Sequence, residues 1–483
     1  MSLLVPDAPS CGDVRIPSGE EDDCICSSSE TLFAAIEKCL DNGLGTCLVT
    51  ENRRLVGRIS LADLSASIHE GGLLHPTVGD YLRGSVHRFQ NVATLAAEDV
   101  LRATVDGEGR LVGVTIDRTN QHIQVARPDM THEEFRSVLD AFLSSWISSK
   151  GPYVGKFEED FRHLIGVEHG VAVSNGTVAL HLALTALNIG PGDEVIVPDL
   201  TFAATINAVL YCGATPVIVD VDPITWCLSC TGVEQALTPR TKAIIPVHLY
   251  GRPAEIGPIT LLAAQRGIAV IEDCAEAHGA RYAGRPVGQF SDICCFSFYA
   301  NKIVTTGEGG MCLTNSAEHA TTLRLLRDHG MAPGRFYWSD RVGFNYRITN
   351  LQAAIGHSQL WRIEETLARN ADIAKAYREA LKGIAGVRFP PKLDPICEPV
   401  VWLASVQVPA GKRDMLLEAA LASGIEMRPF FHPLSNLPPY ERYRRPCPYS
   451  AALGATGVNL PTSRDVDTQV IDRVVKVFRD VLR

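Results

Sequence analysis

From about residue 128 onward, short apolar runs alternate with longer segments of helical spacing. The runs at 170–173, 194–197, 216–219, 243–246, 268–271, 292–296 and 310–313 are bounded by polar or glycine-bearing turns and read as strands. Helices are predicted between them, for example at 178–187 and 260–266. Such alternation builds a mostly parallel sheet with helices on both faces, because each parallel crossover needs a helix to return the chain. A further helix at 372–381 leads to a region with a strand near 402–408 and a closing helix near 466–482. The pattern therefore predicts an α/β protein with a large domain at 122–370 and a small C-terminal α/β domain at 371–483.

The segment 1–121 is patterned differently. Its residues 31–40 have helical spacing that puts Leu32, Ile36, Cys39 and Leu40 on one face. Thr46-Cys47-Leu48-Val49 reads as a strand, Glu51-Asn52-Arg53-Arg54 as a turn and Leu55-Val56-Gly57-Arg58-Ile59 as a second strand. A weaker echo follows: a helical stretch Ala97-Glu98-Asp99-Val100-Leu101, a turn at Asp106-Gly107-Glu108-Gly109, and the strand-like Arg110-Leu111-Val112-Gly113-Val114-Thr115. Arg-Leu-Val-Gly occurs at 54–57 and again at 110–113. This internal repeat resembles paired cystathionine-β-synthase-type (CBS) modules, which commonly bind adenine nucleotides. The resemblance implies a nucleotide at this N-terminal domain, with Ser60 and Asp63 near phosphate and ribose. The second copy has Thr115 but Arg118 in the matching acidic place, and no strand is expected between its helix and its turn. The second copy is thus a degenerate one, and a docking or oligomerisation role stands beside a sensing one.

Composition narrows the classes. Hydrophobic residues make up 46% and charged residues 21% of the 483, ordinary for a globular chain. A net charge of −10 argues against nucleic acid as the partner, since binding there rests on neutralising phosphates. No apolar run is long enough to span a membrane. Met1-Ser2-Leu3-Leu4-Val5-Pro6-Asp7 lacks the basic start and apolar stretch of a secretory leader, so a cytoplasmic enzyme is expected. Most of the cysteines sit singly in apolar segments, and Cys24-x-Cys26 and Cys227-x-x-Cys230 have no second ligand pair. They are read as buried thiols, with no metal site.

The chemistry-bearing residues sit at the carboxyl ends of predicted strands, where open parallel sheets bind ligands. After 170–173 comes Ser174-Asn175-Gly176-Thr177, opening a helix whose N-terminus favours an anion such as phosphate. After 268–271 comes Glu272-Asp273-Cys274-Ala275-Glu276, offering a carboxylate. After 292–296 comes Ser297-Phe298-Tyr299-Ala300-Asn301-Lys302, followed by the loop Thr305-Thr306-Gly307-Glu308-Gly309-Gly310. A lysine held there is placed to form a Schiff base with an aldehyde.

Together with Pro198-Asp199-Leu200-Thr201-Phe202, these ordered segments resemble the sugar aminotransferase family of pyridoxal-phosphate enzymes (DegT/DnrJ/StrS type), over about residues 122–483. The resemblance implies the aspartate-aminotransferase fold (fold type I) and pyridoxal 5'-phosphate as cofactor. Lys302 would carry the cofactor and move the proton, and Asp273 would pair with its pyridine nitrogen. Glu276 would lie near the ring oxygen, where many relatives have Gln, and Phe202 would stack on the ring. Gly176, Thr177 and Ser297 would hold the phosphate, and Asn345 would reach the phosphate of a neighbouring subunit, implying a homodimer with shared sites.

Further segments resemble the subgroup that aminates C4 of GDP-4-keto-6-deoxymannose with glutamate as donor. They are Ser145-Trp146-Ile147-Ser148-Ser149-Lys150-Gly151, Val247-His248-Leu249-Tyr250-Gly251, Leu326-Arg327-Asp328-His329-Gly330-Met331, Tyr337-Trp338 and 349–356. Trp146, Lys150, His248, Arg347, Arg428 and His432 are the candidates for contacts to sugar and nucleotide. Three other readings stand beside this one, the first an aminotransferase for another nucleotide keto-sugar. A sugar dehydratase of the same fold would replace the lysine with histidine, which Lys302 opposes. A CBS-coupled regulator on an inactive body would be expected to lose Lys302 or Asp273, and both are present.

Overall fold

A computed structural model of the chain describes residues 24–483 except 70–76, 84–100, 106, 109, 117, 119, 120 and 333. Contacts separate two compact units, one within Met1–Gln121 plus Met130–His132, the other His122–Asp129 plus Glu133–Arg483.

In the first unit, β1 (Ile25–Ser27), α1 (Leu32–Asp41), β2 (Thr46–Glu51) and β3 (Arg54–Ser60) are followed by α2 (Leu61–His69) and α3 (Val78–Arg83). β1 runs parallel to β2, and β2 antiparallel to β3. Asn52 and Arg53 make the hairpin turn with φ of 51° and 65°, the left-handed pair that matches strand twist. The α1 stripe differs by one position from the expected one. Leu32, Ala35 and Cys39 are buried with Ile36 packed beside them, and Ala35 takes the place expected of Leu40. β4 (Leu101–Val105) and β5 (Leu111–Ile116) form an antiparallel hairpin. The second repeat therefore does contain a strand before its turn, and Leu101 begins that strand instead of ending a helix. Alternation explains it: Ala103, Val105 and Leu111 pack on one small apolar cluster, a period of two that the Thr104-Val105 pair favours. Of the expected helical stretch, residues 97–100 lie outside the described residues, as do the turn positions 106 and 109 and the side chain of Thr115.

The second unit opens with α4 (His132–Leu143) and α5 (Pro152–Ile165) and then alternates. In order come β6 (His169–Val173), α6 (Gly176–Ala186), β7 (Glu194–Pro198), α7 (Ala203–Tyr211), β8 (Thr215–Val219), α8 (Cys230–Ala236), β9 (Thr241–Ile244), α9 (Ile256–Arg266) and β10 (Ala269–Asp273). After the short hairpin β11 (Arg281–Tyr282) and β12 (Arg285–Pro286) come β13 (Ile293–Ser297), β14 (Gly310–Thr314) and α10 (Ala317–Arg327). The seven long strands form one sheet in the order β6-β14-β13-β10-β9-β7-β8. β14 alone is antiparallel to its neighbours. Successive residues feed two cores: Ala172, Ile196 and Val217 face one, while Val171, Val195 and Ile218 face the other. A sheet buried on both faces has to read as continuous apolar runs, which is the pattern seen along the chain.

α11 (Asn350–Leu360), closed at its start by a Thr349–Gln352 capping box, leads into α12 (Ile363–Ala380). Then follow β15 (Cys397–Glu398), β16 (Ala404–Gln407), α13 (Arg413–Ala422), β17 (Arg428–Pro429), α14 (Pro448–Thr456), β18 (Gly457–Leu460) and α15 (Thr468–Leu482). β16, β18 and β17 make a small antiparallel sheet. Its apolar residues share a core with Ile373 and Tyr377 of α12, Leu416 of α13 and Val474 and Phe478 of α15. Among the described residues, no helix is long and apolar enough to cross a membrane.

Candidate active site

The site assembles at the carboxyl ends of β6, β10 and β13. α6 starts there because Asn175, in extended backbone, accepts the Val178 N–H on its side-chain oxygen at 3.0 Å. Capping leaves Gly176 and Thr177 in the first turn, where helix amides point outward and attract an anion. Gly176 packs directly against Ser297: a Cβ added to it would lie 2.8 Å from the Ser297 Cβ. Gly176→Ala is therefore expected to destabilise the fold by about 1–3 kcal/mol, the usual effect of overpacking. A thermal melt checks this, and an unchanged Tm would mean that Ser297 moves aside freely.

Asp273 ends β10, 5% exposed. The Thr205 hydroxyl of α7 donates to it at 2.9 Å, and the Ala275 N–H at 3.2 Å. Burial pushes its carboxyl above the usual range, offset in part by those bonds and by Lys302. Three residues on, Glu276 is likewise buried and raised by burial, and it accepts the Tyr250 N–H at 2.9 Å. That bond needs Tyr250 at φ 51°, a left-handed conformation uncommon for an aromatic residue.

Lys302 lies in the loop after β13. Its own N–H donates to Tyr299 O at 2.9 Å and Thr306 N–H donates to Phe298 O at 2.9 Å, so the loop is tied back on itself. The Lys302 Nζ sits 3.5 Å from Glu276 Oε1 and 3.7 Å from the centre of the Trp402 ring. Burial drives the amine below its ordinary value, while Glu276 and Asp273 resist. The geometry thus holds a lysine whose charge is poorly solvated, the condition that makes an amine nucleophilic.

An aromatic row supports this centre. Trp402 donates its indole N–H to Asn301 O at 2.6 Å and stacks on Tyr250 at 6.0 Å. Tyr250 stacks on Phe431 at 5.3 Å and accepts the Phe431 N–H on its hydroxyl at 2.9 Å. Phe431 meets Phe202 at 5.7 Å, and Phe202 is 58% exposed, its ring open to a ligand. Trp402, Tyr250, Thr205 and Phe431 were not among the expected site residues. Trp402 has no motif and lies 100 positions from Lys302 (402 − 302), so nothing local marked it.

The residues expected to meet sugar and nucleotide fare unevenly. His248 is corrected: it is 0% exposed, its Nδ1 accepts the Ala254 N–H at 3.0 Å, and its Nε2 meets Glu272 Oε1 at 3.2 Å. With both ring nitrogens used inside the core, it has nothing to offer a ligand and serves to hold β10 against the Val247–Ala254 segment. Arg428 is exposed but donates twice to Glu426 Oε1, at 2.9 and 2.8 Å, so an anion has to compete with that carboxylate. Arg347 joins Asp328 at 2.8 Å and also donates to Asn345 Oδ1 at 2.9 Å. Trp146, Lys150 and His432 are exposed. In the first unit, the Ser60 hydroxyl donates to Asp63 Oδ2 at 2.6 Å and accepts the Asp63 N–H at 3.1 Å. The pair caps the start of α2.

Comparison with known proteins agrees with this geometry. Residues 128–479 match the model of the DegT/DnrJ/EryC1/StrS aminotransferase family. The chain is 46% identical over 364 residues to the GDP-perosamine synthase of Caulobacter vibrioides, covering 74% of this chain and 98% of the relative. It is 43% identical over 343 residues to that of Escherichia coli O157:H7, covering 71% and 93%. Among solved structures, the sugar aminotransferase Spr1654 of Streptococcus pneumoniae in its PLP-form superposes with a TM-score of 0.70 at 27% identity, covering 74% of this chain and 98% of that one.

The residues present fit pyridoxal phosphate. Gly176 leaves beside Ser297 a concave spot that a Cβ would fill, at a helix N-terminus suited to phosphate. Lys302 would supply the amine for its aldehyde, and Asp273 a carboxylate that burial raises above its usual range. The chain belongs to the DegT/DnrJ/EryC1/StrS aminotransferase family and is a pyridoxal-phosphate-dependent sugar aminotransferase.

Proposed function

We propose that the enzyme converts GDP-4-keto-6-deoxymannose to its 4-amino sugar, with glutamate as the amino donor, in the cytoplasm. The observation that carries the reading is the buried Lys302 amine between Glu276 and the Trp402 ring, with Asp273 buried beside it. The GDP-perosamine synthases at 46% and 43% identity support the choice of sugar.

Each site residue then has a task. Pyridoxal phosphate, when bound, supplies a carbonyl that exchanges an amino group and a protonated ring that withdraws electrons. Gly176, Thr177 and Ser297 would hold its phosphate. Phe202 would cover the ring, and Glu276 would lie by the ring oxygen. Asp273 would pair with the ring nitrogen, where a cation would remove the penalty that burial puts on its charge. Thr205 fixes the carboxylate that does so. Lys302, whose amine burial holds below its ordinary value, would form the covalent link and would move a proton between the two carbons that exchange the amine. Trp402 and Glu276 keep its Nζ in place. Trp146, Lys150, Arg347, Arg428 and His432 surround the nucleotide sugar, Arg428 after leaving Glu426.

The same reading divides the chain into a CBS-like domain at 1–121, with a nucleotide as its possible ligand, a cofactor-binding domain at 122–370 and a small domain at 371–483. It also makes the enzyme a homodimer with shared sites. Phe336, Tyr337 and Val342, 87%, 97% and 91% exposed, lie shortly before Asn345 in the chain and offer apolar surface that a partner subunit would cover. Mixing Lys302→Ala with Asn345→Ala chains should restore part of the activity, and a fully active monomer at high dilution would defeat the shared site. For the substrate, GDP- and dTDP-linked 4-keto-6-deoxy sugars compete at equal concentration with glutamate present, read by product mass. The GDP sugar should be aminated faster. A tenfold preference for the dTDP sugar, about 1.4 kcal/mol, would overturn the assignment to GDP.

A further inference from the structure

The Lys302 Nζ stands between two walls of unlike kind. One is the Glu276 carboxylate, whose Oε1 lies 3.5 Å away. The other is the face of the Trp402 ring, whose centre lies 3.7 Å away. Both favour the ammonium over the neutral amine, the carboxylate by its charge and the ring by its quadrupole. Burial opposes them and is the larger effect, lowering the amine below its ordinary value.

The other titratable groups nearby leave that contest to the two walls. Asp273, itself buried, adds to the pull of Glu276. His278 is 0% exposed, and burial, then Lys302, push its imidazole down to about 3, so it stays neutral. Arg127, Asp129 and Arg369 share with Lys302 a cavity of only about 30 Å³. Their charges answer other partners: Asp129 meets Arg362, Arg369 and Arg464, and Arg127 meets Asp465.

The Trp402 ring is held firmly at its height over the amine. Its indole N–H donates at 2.6 Å to the carbonyl oxygen of Asn301, the residue before Lys302, so ring and loop are tied together. The ring also stacks on Tyr250, inclined by 25°. On the chain before it, Val401 O accepts the Asn370 side-chain amide at 3.0 Å. After it, the Ala404 N–H donates to the Thr462 hydroxyl at 2.8 Å.

A lysine that moves a proton between two carbons is base and acid in turn, and it works best when neither form is strongly favoured. Burial alone would leave the neutral form dominant. We infer that Trp402 is a positioning residue whose ring face stabilises Lys302 as an ammonium, so that this buried amine can both take up a proton and give it back. The inference rests on the proposed role of Lys302 and gives Trp402 control over charge, beyond keeping the Nζ in place. Leucine would fill much of the space without the quadrupole. Phenylalanine would keep a ring face and lose the bond to Asn301.

The test follows uptake of pyridoxal phosphate by the cofactor-free, full-length enzyme, read as visible absorbance across pH. Only the neutral amine adds to the aldehyde, so the midpoint of the rate profile reports where Lys302 loses its proton. Trp402→Leu should move that midpoint down by about one pH unit from wild type, a tenfold change within reach of a desolvated cation–π contact. Trp402→Phe should show less than half of that shift. A ring-fluorinated tryptophan at position 402 keeps the shape and the N–H but drains the ring face, and it should shift the midpoint as leucine does even where Trp402→Leu fails to fold. In turnover, the kcat of Trp402→Leu should fall about tenfold with the KM for the nucleotide sugar unchanged. An unmoved midpoint in the fluorinated enzyme, or equal shifts in Trp402→Phe and Trp402→Leu, would overturn the inference whichever sugar is aminated. A higher KM with kcat unchanged would overturn it too, because the ring would then be a wall for substrate. Wild-type enzyme that fixes the cofactor on another lysine would overturn both the inference and the reading beneath it.

Discussion

A Lys302→Ala enzyme is expected to turn over about 10⁴-fold more slowly than the parent and to lose the covalent attachment of pyridoxal phosphate. The residue does two things that no neighbour can take over. On the proposed reading its amine would be the nucleophile toward the cofactor aldehyde, and the same Nζ would move the proton. The nearest polar side chain, Glu276 at 3.5 Å, is fixed by the Tyr250 N–H and cannot form the bond to carbon. The loss should not be one of folding. Removing Lys302 deletes a desolvated charge, which offsets the cation–π contact with Trp402, about 1–2 kcal/mol, so the melting temperature should change little. Borohydride reduction of the yellow wild-type enzyme followed by peptide mapping gives the readout. A reduced adduct on another lysine, or a Lys302→Ala enzyme within tenfold of wild type, would sink the assignment.

Asp273→Asn should lower kcat by about 10³-fold while leaving the protein at least as stable. Asparagine keeps the shape: its one carbonyl oxygen can still accept the Ala275 N–H, and its amide nitrogen then donates to the Thr205 hydroxyl, which turns to accept, so local packing survives. What goes is the negative charge, and with it the means of keeping a ring nitrogen protonated. Stability moves the other way because burial already holds the Asp273 carboxyl above its ordinary value. The sign is definite: a carboxyl raised by folding opposes the native state as pH climbs through its folded value. The variant should therefore lose part of the stability change seen between mildly acidic and neutral pH in cofactor-free enzyme. A kcat within tenfold of wild type would place the catalytic charge elsewhere.

Much of this was legible in the chain itself, and the reasons differ from residue to residue. The seven strands are buried on both faces, so each is a plain apolar run, and the polar residues that close β6, β10 and β13 stand out against it. Gly176, Asp273 and Lys302 are visible because each follows its strand within a few positions. Trp402 and Tyr250 act across the fold, and a lone aromatic in an apolar stretch looks like any core residue. The His248 expectation failed because burial and tautomer are set by Ala254 and Glu272, partners that no spacing rule connects to it. Arg428 was expected to meet sugar or nucleotide, and the carboxylate that engages it comes from Glu426, two residues before β17, a pairing that sequence alone does not reveal. β4 escaped because Leu101 could close a helix or open a strand, and only its partner β5 decides.

The strand order has a consequence for biogenesis. β6 is the first strand of the seven to leave the ribosome, yet its neighbour in the sheet is β14, the last. Their paired residues, such as Ala172 and Met311, are 139 positions apart (311 − 172). Until β14 emerges, the run His169–Val173 stays without its partner, an apolar strand edge of the kind that aggregates. Gly176 at the end of β6 and Ser297 at the end of β13 are brought together by the same late insertion. A nascent chain can therefore pair β7 to β10 early, but Gly176 and Ser297 meet only when β14 lies between β6 and β13, and Trp402 reaches Lys302 later still, so the site is among the last parts of the polypeptide to form.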